Sequence, residues 1–215
     1  MEDQTAPPEL PSPVEPPRRS ILRLALVVEV ALGVFAVAIS LPLGHWPLPG
    51  VSFRAPDWAS LGMGAAWGLA GAVPMIAMLL VIDRWPIGPL EDLKRFVSEL
   101  VVPLFAPLNL LQLALISALA GIGEEMLFRG VLQDLLAQRI GGTGGLVVGL
   151  LAGSVVFGVC HWLTPTYAAL ATLIGLYMGV LLVVSGSILA PIVAHAAYDF
   201  VALWYLVKRR GARTT

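Results

Sequence analysis

The sequence predicts an all-α, polytopic membrane protein, a helical bundle of about six transmembrane helices. Three observations lead there. Hydrophobic residues make up 58% of the 215 residues and charged residues only 13%, more apolar surface than a soluble core of this size can hide. The apolar residues fall into runs of about 20, long enough to span a bilayer at about 1.5 Å per residue. No run reads as a convincing strand, and no internal repeat is evident.

The elements follow in chain order. Residues 1–20 are proline-rich and carry Glu2, Asp3, Glu9 and Glu15 before the Arg18–Arg19 pair. Nothing there can form a core, so a disordered tail is expected rather than a signal peptide. The first apolar run is Ile21 to Leu41. It contains Glu29, which is costly in lipid and is expected to face other helices or water. A polar, proline-rich loop follows over roughly 42–58. A second span, roughly Ala59 to Ile82, is rich in Gly and Ala that allow close helix packing. Residues 83–100, with seven charged side chains from Asp83 to Glu99, read as a loop with a short amphipathic helix. A long helical stretch runs from about Pro107 to Arg139 and is broken by Gly141, Gly142, Thr143 and Gly144. Three more spans follow at about 145–163, 166–185 and 187–207, and the chain ends in a basic stretch.

The domain organisation expected from this pass is a Pro-rich tail (1–20), two N-terminal spans plus the amphipathic loop (21–100), a catalytic segment (101–207) and a basic tail (208–215). Six spans place both termini on one side. Ten of the thirteen Lys and Arg residues lie at the termini or in the 83–100 loop. Positive charge favours the cytoplasmic side, so both termini are expected to be cytoplasmic, in a protein of a bacterial plasma membrane. The net charge of −1 says little about partners; membrane lipid and a membrane-associated peptide or protein are expected, and nucleic acid is not. The single cysteine, Cys160, excludes an intrachain disulfide framework.

Ionisable residues inside apolar spans are candidates for function, because lipid penalises them unless they are paired or hydrated. Here they are Glu29, Glu124, Glu125, Arg129, His161, His195 and Asp199. In Gly123-Glu124-Glu125-Met126-Leu127-Phe128-Arg129, Glu125 and Arg129 stand four apart and can pair on a helix. Glu124 is turned about 100° away and is left free for acid/base work. His161 ends a series at four-residue spacing, Gly145, Gly149, Gly153, Phe157 and His161, whose small members let another helix approach. His195 and Asp199 share a helical face one turn apart. Each cluster taken alone fits a packing network as well as it fits catalysis.

Depth along the helices favours one site. Glu124 and His161 each lie 18 residues from the Gly142–Thr143 turn, about 27 Å by helix rise, at one depth on two antiparallel helices. His195 lies nine residues beyond Gly186 on the opposite side, about 13 Å down. Across a core of about 30 Å this leaves roughly 10 Å in depth between the two histidines, a gap that side-chain reach and helix tilt can close.

These elements, in this order, resemble the signature of the CPBP family of intramembrane proteases, which includes the type II CAAX prenyl endopeptidases and the Abi-like bacteriocin-processing and self-immunity proteins. The family's first motif, two Glu then Arg four residues after the second, matches Glu124, Glu125 and Arg129. Its second, Phe-x-x-x-His, matches Phe157 and His161. Its third, His followed four residues later by Asn or Asp, matches His195 and Asp199. The match covers roughly residues 108–205.

The resemblance implies a glutamic-type endopeptidase without a cofactor. Glu124 with His161 would activate a water, while His195 and the residue at 199 would stabilise the oxyanion. An apolar bundle suits a carboxylate to a general base, and a preorganised donor aimed at the tetrahedral intermediate lowers the barrier. An amide at position 199 could donate to an oxyanion, whereas an ionised carboxylate repels it. Asp199 is therefore expected to orient His195 and keep it a donor; the alternative is a protonated Asp199. Glu125, Arg129 and Phe157 are expected in supporting roles.

A zinc metalloprotease is the closest rival, since Glu124, His161 and His195 are adequate ligands in kind, although no compact two-His motif is present. A thiol mechanism through Cys160 is disfavoured because Cys160 and His161 are neighbours on a helix and point about 100° apart. A non-enzymatic membrane scaffold or immunity protein, or a transporter with a proton relay, would also bury such a cluster.

Overall fold

A computed structural model describes residues 18–54 and 56–211; the acidic, proline-rich part of the expected tail and the last residues of the basic tail lie outside them. No strand occurs among the described residues. Six helices there are long and apolar enough to cross a membrane, and a helix meets most of its backbone hydrogen-bonding needs internally, as lipid requires.

Helix α1 (Arg18–Ser40) belongs to the span least buried within the bundle. A polar loop leads to α2 (Trp58–Arg84). Asp57 caps it, accepting from the backbone N–H of Ala59 at 3.0 Å and of Ser60 at 3.3 Å and from the Ser60 hydroxyl at 2.6 Å. Those donors hold the Asp57 carboxyl below the usual carboxylate range.

The expected amphipathic segment is α3 (Pro89–Phe96), continued through a π-helical turn (Val97–Val101) into the short α4 (Val102–Phe105). Asp83 ties it down. Its carboxylate pairs with Lys94 at 3.2 Å and accepts from the Tyr205 hydroxyl at 2.7 Å, so one buried acid joins the loop helix, α2 and the last span.

Helix α5 (Leu110–Glu125) opens on an Asn109–Gln112 capping box and runs without a break through a π-helical stretch (Met126–Gln133) into α6 (Asp134–Ile140). The sequence pattern predicts one long helix here, and the π-helical stretch is the departure from it. Widening the turn frees carbonyl groups. That of Gly130 accepts a hydrogen bond from His45 Nε2 at 2.7 Å, and His45 lies 3.6 Å from Asp134. The loop after α1 thereby clamps the widened turn.

Gly141 and Gly142, at φ +76° and +58°, reverse the chain into α7 (Gly142–Cys160). Here only glycine is comfortable. The glycine stripe of α7 does what its spacing predicts. A Cβ on Gly145 would come within 2.6 Å of the Ala137 carbonyl, and one on Gly153 within 3.0 Å of the Phe128 carbonyl. The α5–α6 unit therefore lies directly on α7. Helix α8 (Pro165–Ser185) starts on the Thr164 cap, and α9 (Leu189–Gly211) closes the bundle between α2 and α5.

Candidate active site

Two small residues decide what stands beside Glu124 and Glu125. A Cβ on Gly121 would meet the Ile192 carbonyl at 2.8 Å and Ala196 at 3.0 Å, so α9 packs against α5 at this level. A Cβ on Gly123 would run into the Glu29 carbonyl, so α1 packs on α5 there too. The end of α5 thus lies against α9, which carries His195, and against α1, which carries Glu29.

Glu125 is fully buried and serves two partners through one oxygen. Its Oε1 accepts from Arg129 Nη1 at 2.9 Å and from His195 Nδ1 at 2.7 Å. Arg129, also fully buried, donates through Nη2 to the Gly175 carbonyl at 3.2 Å and lies 4.4 Å above the Phe157 ring. Phe157 in turn stacks on His161, with centroids 4.3 Å apart, and meets the His195 ring edge-on at 6.1 Å. One buried ion pair therefore fixes one imidazole by hydrogen bonding and reaches the other through an aromatic ring.

The two histidines present the same nitrogen to Glu124. His161, at the end of α7, donates from Nδ1 to the Phe157 carbonyl at 2.8 Å. This leaves Nε2, 3.6 Å from Glu124 Oε2. His195 Nε2 lies 4.0 Å from the same oxygen and 3.4 Å from Asp199 Oδ2. Glu124 Oε2 is buried and has no hydrogen-bond partner among the described residues. Gaps of 3.6 and 4.0 Å are longer than hydrogen bonds, and a small molecule between such groups can bond to both.

The predicted residues Glu124, His161, His195 and Asp199 thus converge from α5, the end of α7 and α9. Ideal upright helices leave about 10 Å in depth between the histidines; both in fact reach the same carboxylate oxygen. Asp199, expected to orient His195, flanks its Nε2, and Glu125 holds Nδ1, a second partner that the sequence pattern does not reveal. A residue one turn along on the same helix reaches the outer nitrogen, and the inner one turns into the bundle toward α5.

A cleft of about 610 Å³ opens from the cluster. Glu124, His161 and Glu29 lie on its wall, with Val28, Leu32, Phe35, Leu127, Leu132 and Leu136 among the apolar groups that make up most of the rest. It follows α1 from Val28 to Ile39, about 17 Å by helix rise, and reaches Leu43 in the turn beyond. Cys160 is exposed and lines the same wall. Among the described residues no group of three His, Cys, Asp or Glu side chains is arranged to hold a metal ion.

Residues 106–201, from just before α5 into the middle of α9, match a family model described as type II CAAX prenyl endopeptidase Rce1-like. This segment, a little under half of the chain, is similar to that family. The Rce1-like segment holds Glu124, Glu125, Arg129, Phe157, His161, His195 and Asp199, whereas α1 and Glu29 lie outside it. No curated protein and no solved structure matches the chain. Six apolar helices mark an integral membrane protein, and its segment 106–201 is similar to a family of membrane proteases.

Proposed function

We propose that the protein is a glutamic-type intramembrane endopeptidase that hydrolyses a peptide bond in a membrane-associated peptide or protein. The observation that carries this reading is the unpartnered Glu124 oxygen facing two imidazole Nε2 atoms at the head of an apolar cleft.

In this reading a water lies between Glu124 and His161. Glu124 takes its proton, and the hydroxide attacks the carbonyl carbon of the scissile bond. The oxyanion that forms is met by His195 as an imidazolium, whose Nδ1–H is held by Glu125 and whose Nε2–H donates to the reacting oxygen. Glu124 then passes its proton to the nitrogen of the leaving amine, and the C–N bond breaks. Asp199 sits beside His195 Nε2 and keeps that nitrogen directed into the site. The apolar cleft takes the lipid-soluble part of the substrate. With both termini cytoplasmic, as the Lys and Arg distribution favours, the α7–α8 turn beside His161 lies on the cytoplasmic side and the substrate enters from the inner leaflet.

The test is cleavage by the purified protein in liposomes, followed by mass spectrometry. The peptide library would contain both prenylated CAAX C-termini and unmodified apolar segments. The wild type is expected to cut a defined bond at a rate unchanged by a strong zinc chelator. No cleavage of any peptide would overturn the proposal. Activity lost to chelator and restored by zinc would replace the glutamic mechanism with a metal-dependent one using Glu124, His161 and His195.

A further inference from the structure

Glu29 is an acid the hydrolytic scheme above does not use. It stands nine residues from Ser20, the start of the first apolar span, about 14 Å along the helix, too deep for a short carboxylate side chain to reach the membrane surface. Its Oε2 is buried and has no hydrogen-bond partner among the described residues. Its side chain lies on the wall of the cleft that holds Glu124 and His161. Its place there is fixed, because its own carbonyl rests on Gly123, the residue before Glu124, where a Cβ would not fit. A carboxylate in an apolar span is strongly penalised unless it is satisfied, and a buried acceptor without a donor is destabilising. A peptide drawn into an apolar cleft has the opposite defect, since its backbone N–H groups leave water without an acceptor.

We propose that Glu29 is a substrate-positioning residue, whose carboxylate accepts a hydrogen bond from one backbone N–H of the peptide lying in the cleft. This rests on the endopeptidase reading and adds to it a contact from a helix outside the Rce1-like segment. The bond forms on binding and does not change in the hydrolytic step, so its loss raises KM and leaves kcat almost untouched.

The experiment uses the full-length protein in liposomes and the best-cleaved peptide of the library described above. Glu29→Leu is expected to raise KM by about tenfold or more, and Glu29→Gln, which keeps a neutral acceptor of the same shape, by about fivefold. In both, kcat should stay within about threefold of wild type. A set of peptides, each N-methylated at one backbone nitrogen, then identifies the donor. One methylation should raise KM about tenfold for the wild type and much less for Glu29→Leu.

If Glu124→Gln is inactive but no N-methylation distinguishes the wild type from Glu29→Leu, the Glu29 proposal falls and the endopeptidase reading stands. A loss of kcat at unchanged KM in Glu29→Gln also overturns it. If Glu29→Leu does not fold, Glu29→Gln and the wild-type methylation series decide: no KM increase in either rejects the contact. If the wild type cleaves nothing, the endopeptidase reading has failed first.

Discussion

Glu124→Gln is expected to lower kcat by about 10²–10⁴-fold, the usual contribution of a positioned general base. KM should change little. The substitution preserves shape, and Glu124 Oε2 makes no hydrogen bond that the amide would lose. It also removes a carboxylate from a cluster that already contains Glu29, Glu125 and Asp199, so melting in detergent should not fall. Kinetics on a fluorogenic peptide, with a melting curve on the same preparation, read both quantities. A variant retaining a tenth or more of wild-type kcat would exclude Glu124 as the base.

Arg129→Met should have the largest effect on stability. Arg129 and Glu125 are both fully buried and 2.9 Å apart, and removing Arg129 leaves the buried Glu125 with His195 alone to offset its charge. Such losses cost about 3–5 kcal/mol. Arg129→Lys should recover little, because one ammonium cannot reproduce the fork that bonds Glu125 and the Gly175 carbonyl while lying over Phe157. The informative variant replaces both partners. Glu125→Leu with Arg129→Leu removes both charges and should regain much of the melting temperature. Activity should stay low, since His195 loses the acceptor on Nδ1 that aims its other nitrogen. A double variant as active as wild type would show that the pair only holds the bundle together.

Much of this architecture is written in local pattern. Runs of about 20 apolar residues mark the spans because lipid sets the length of a helix that crosses it. Paired glycines break the chain at 141–142 because of their positive φ, and the four-residue glycine spacing of α7 foretells the close contact with α5–α6. The Glu125–Arg129 pair is legible for the same reason, since four residues make one turn.

What stays hidden depends on contacts between distant parts of the chain. The π-helical stretch after Glu125 leaves no mark in the hydropathy pattern; His45, 85 residues away, bonds a carbonyl within it. His195 is held by Glu125 as well as by its neighbour Asp199, which only the packing of α9 against Gly121 decides. Glu29 is visible in the sequence as an acid in an apolar span, but no local motif points to its partner. Its nearness to Glu124 comes from the absence of a side chain at Gly123. In each case the missing information is which helix lies against which, and small residues carry it only once the bundle is known.

The central claim is that Glu124 and His161 act on one water as a unit, and comparing single and double variants tests it most directly. In liposomes, kcat would be measured for wild type, Glu124→Gln, His161→Ala and the double variant on one peptide. Joint action predicts that the double variant is no slower than the slower single variant. Two losses that multiply in the double variant would mean that the residues act separately, contradicting a shared site.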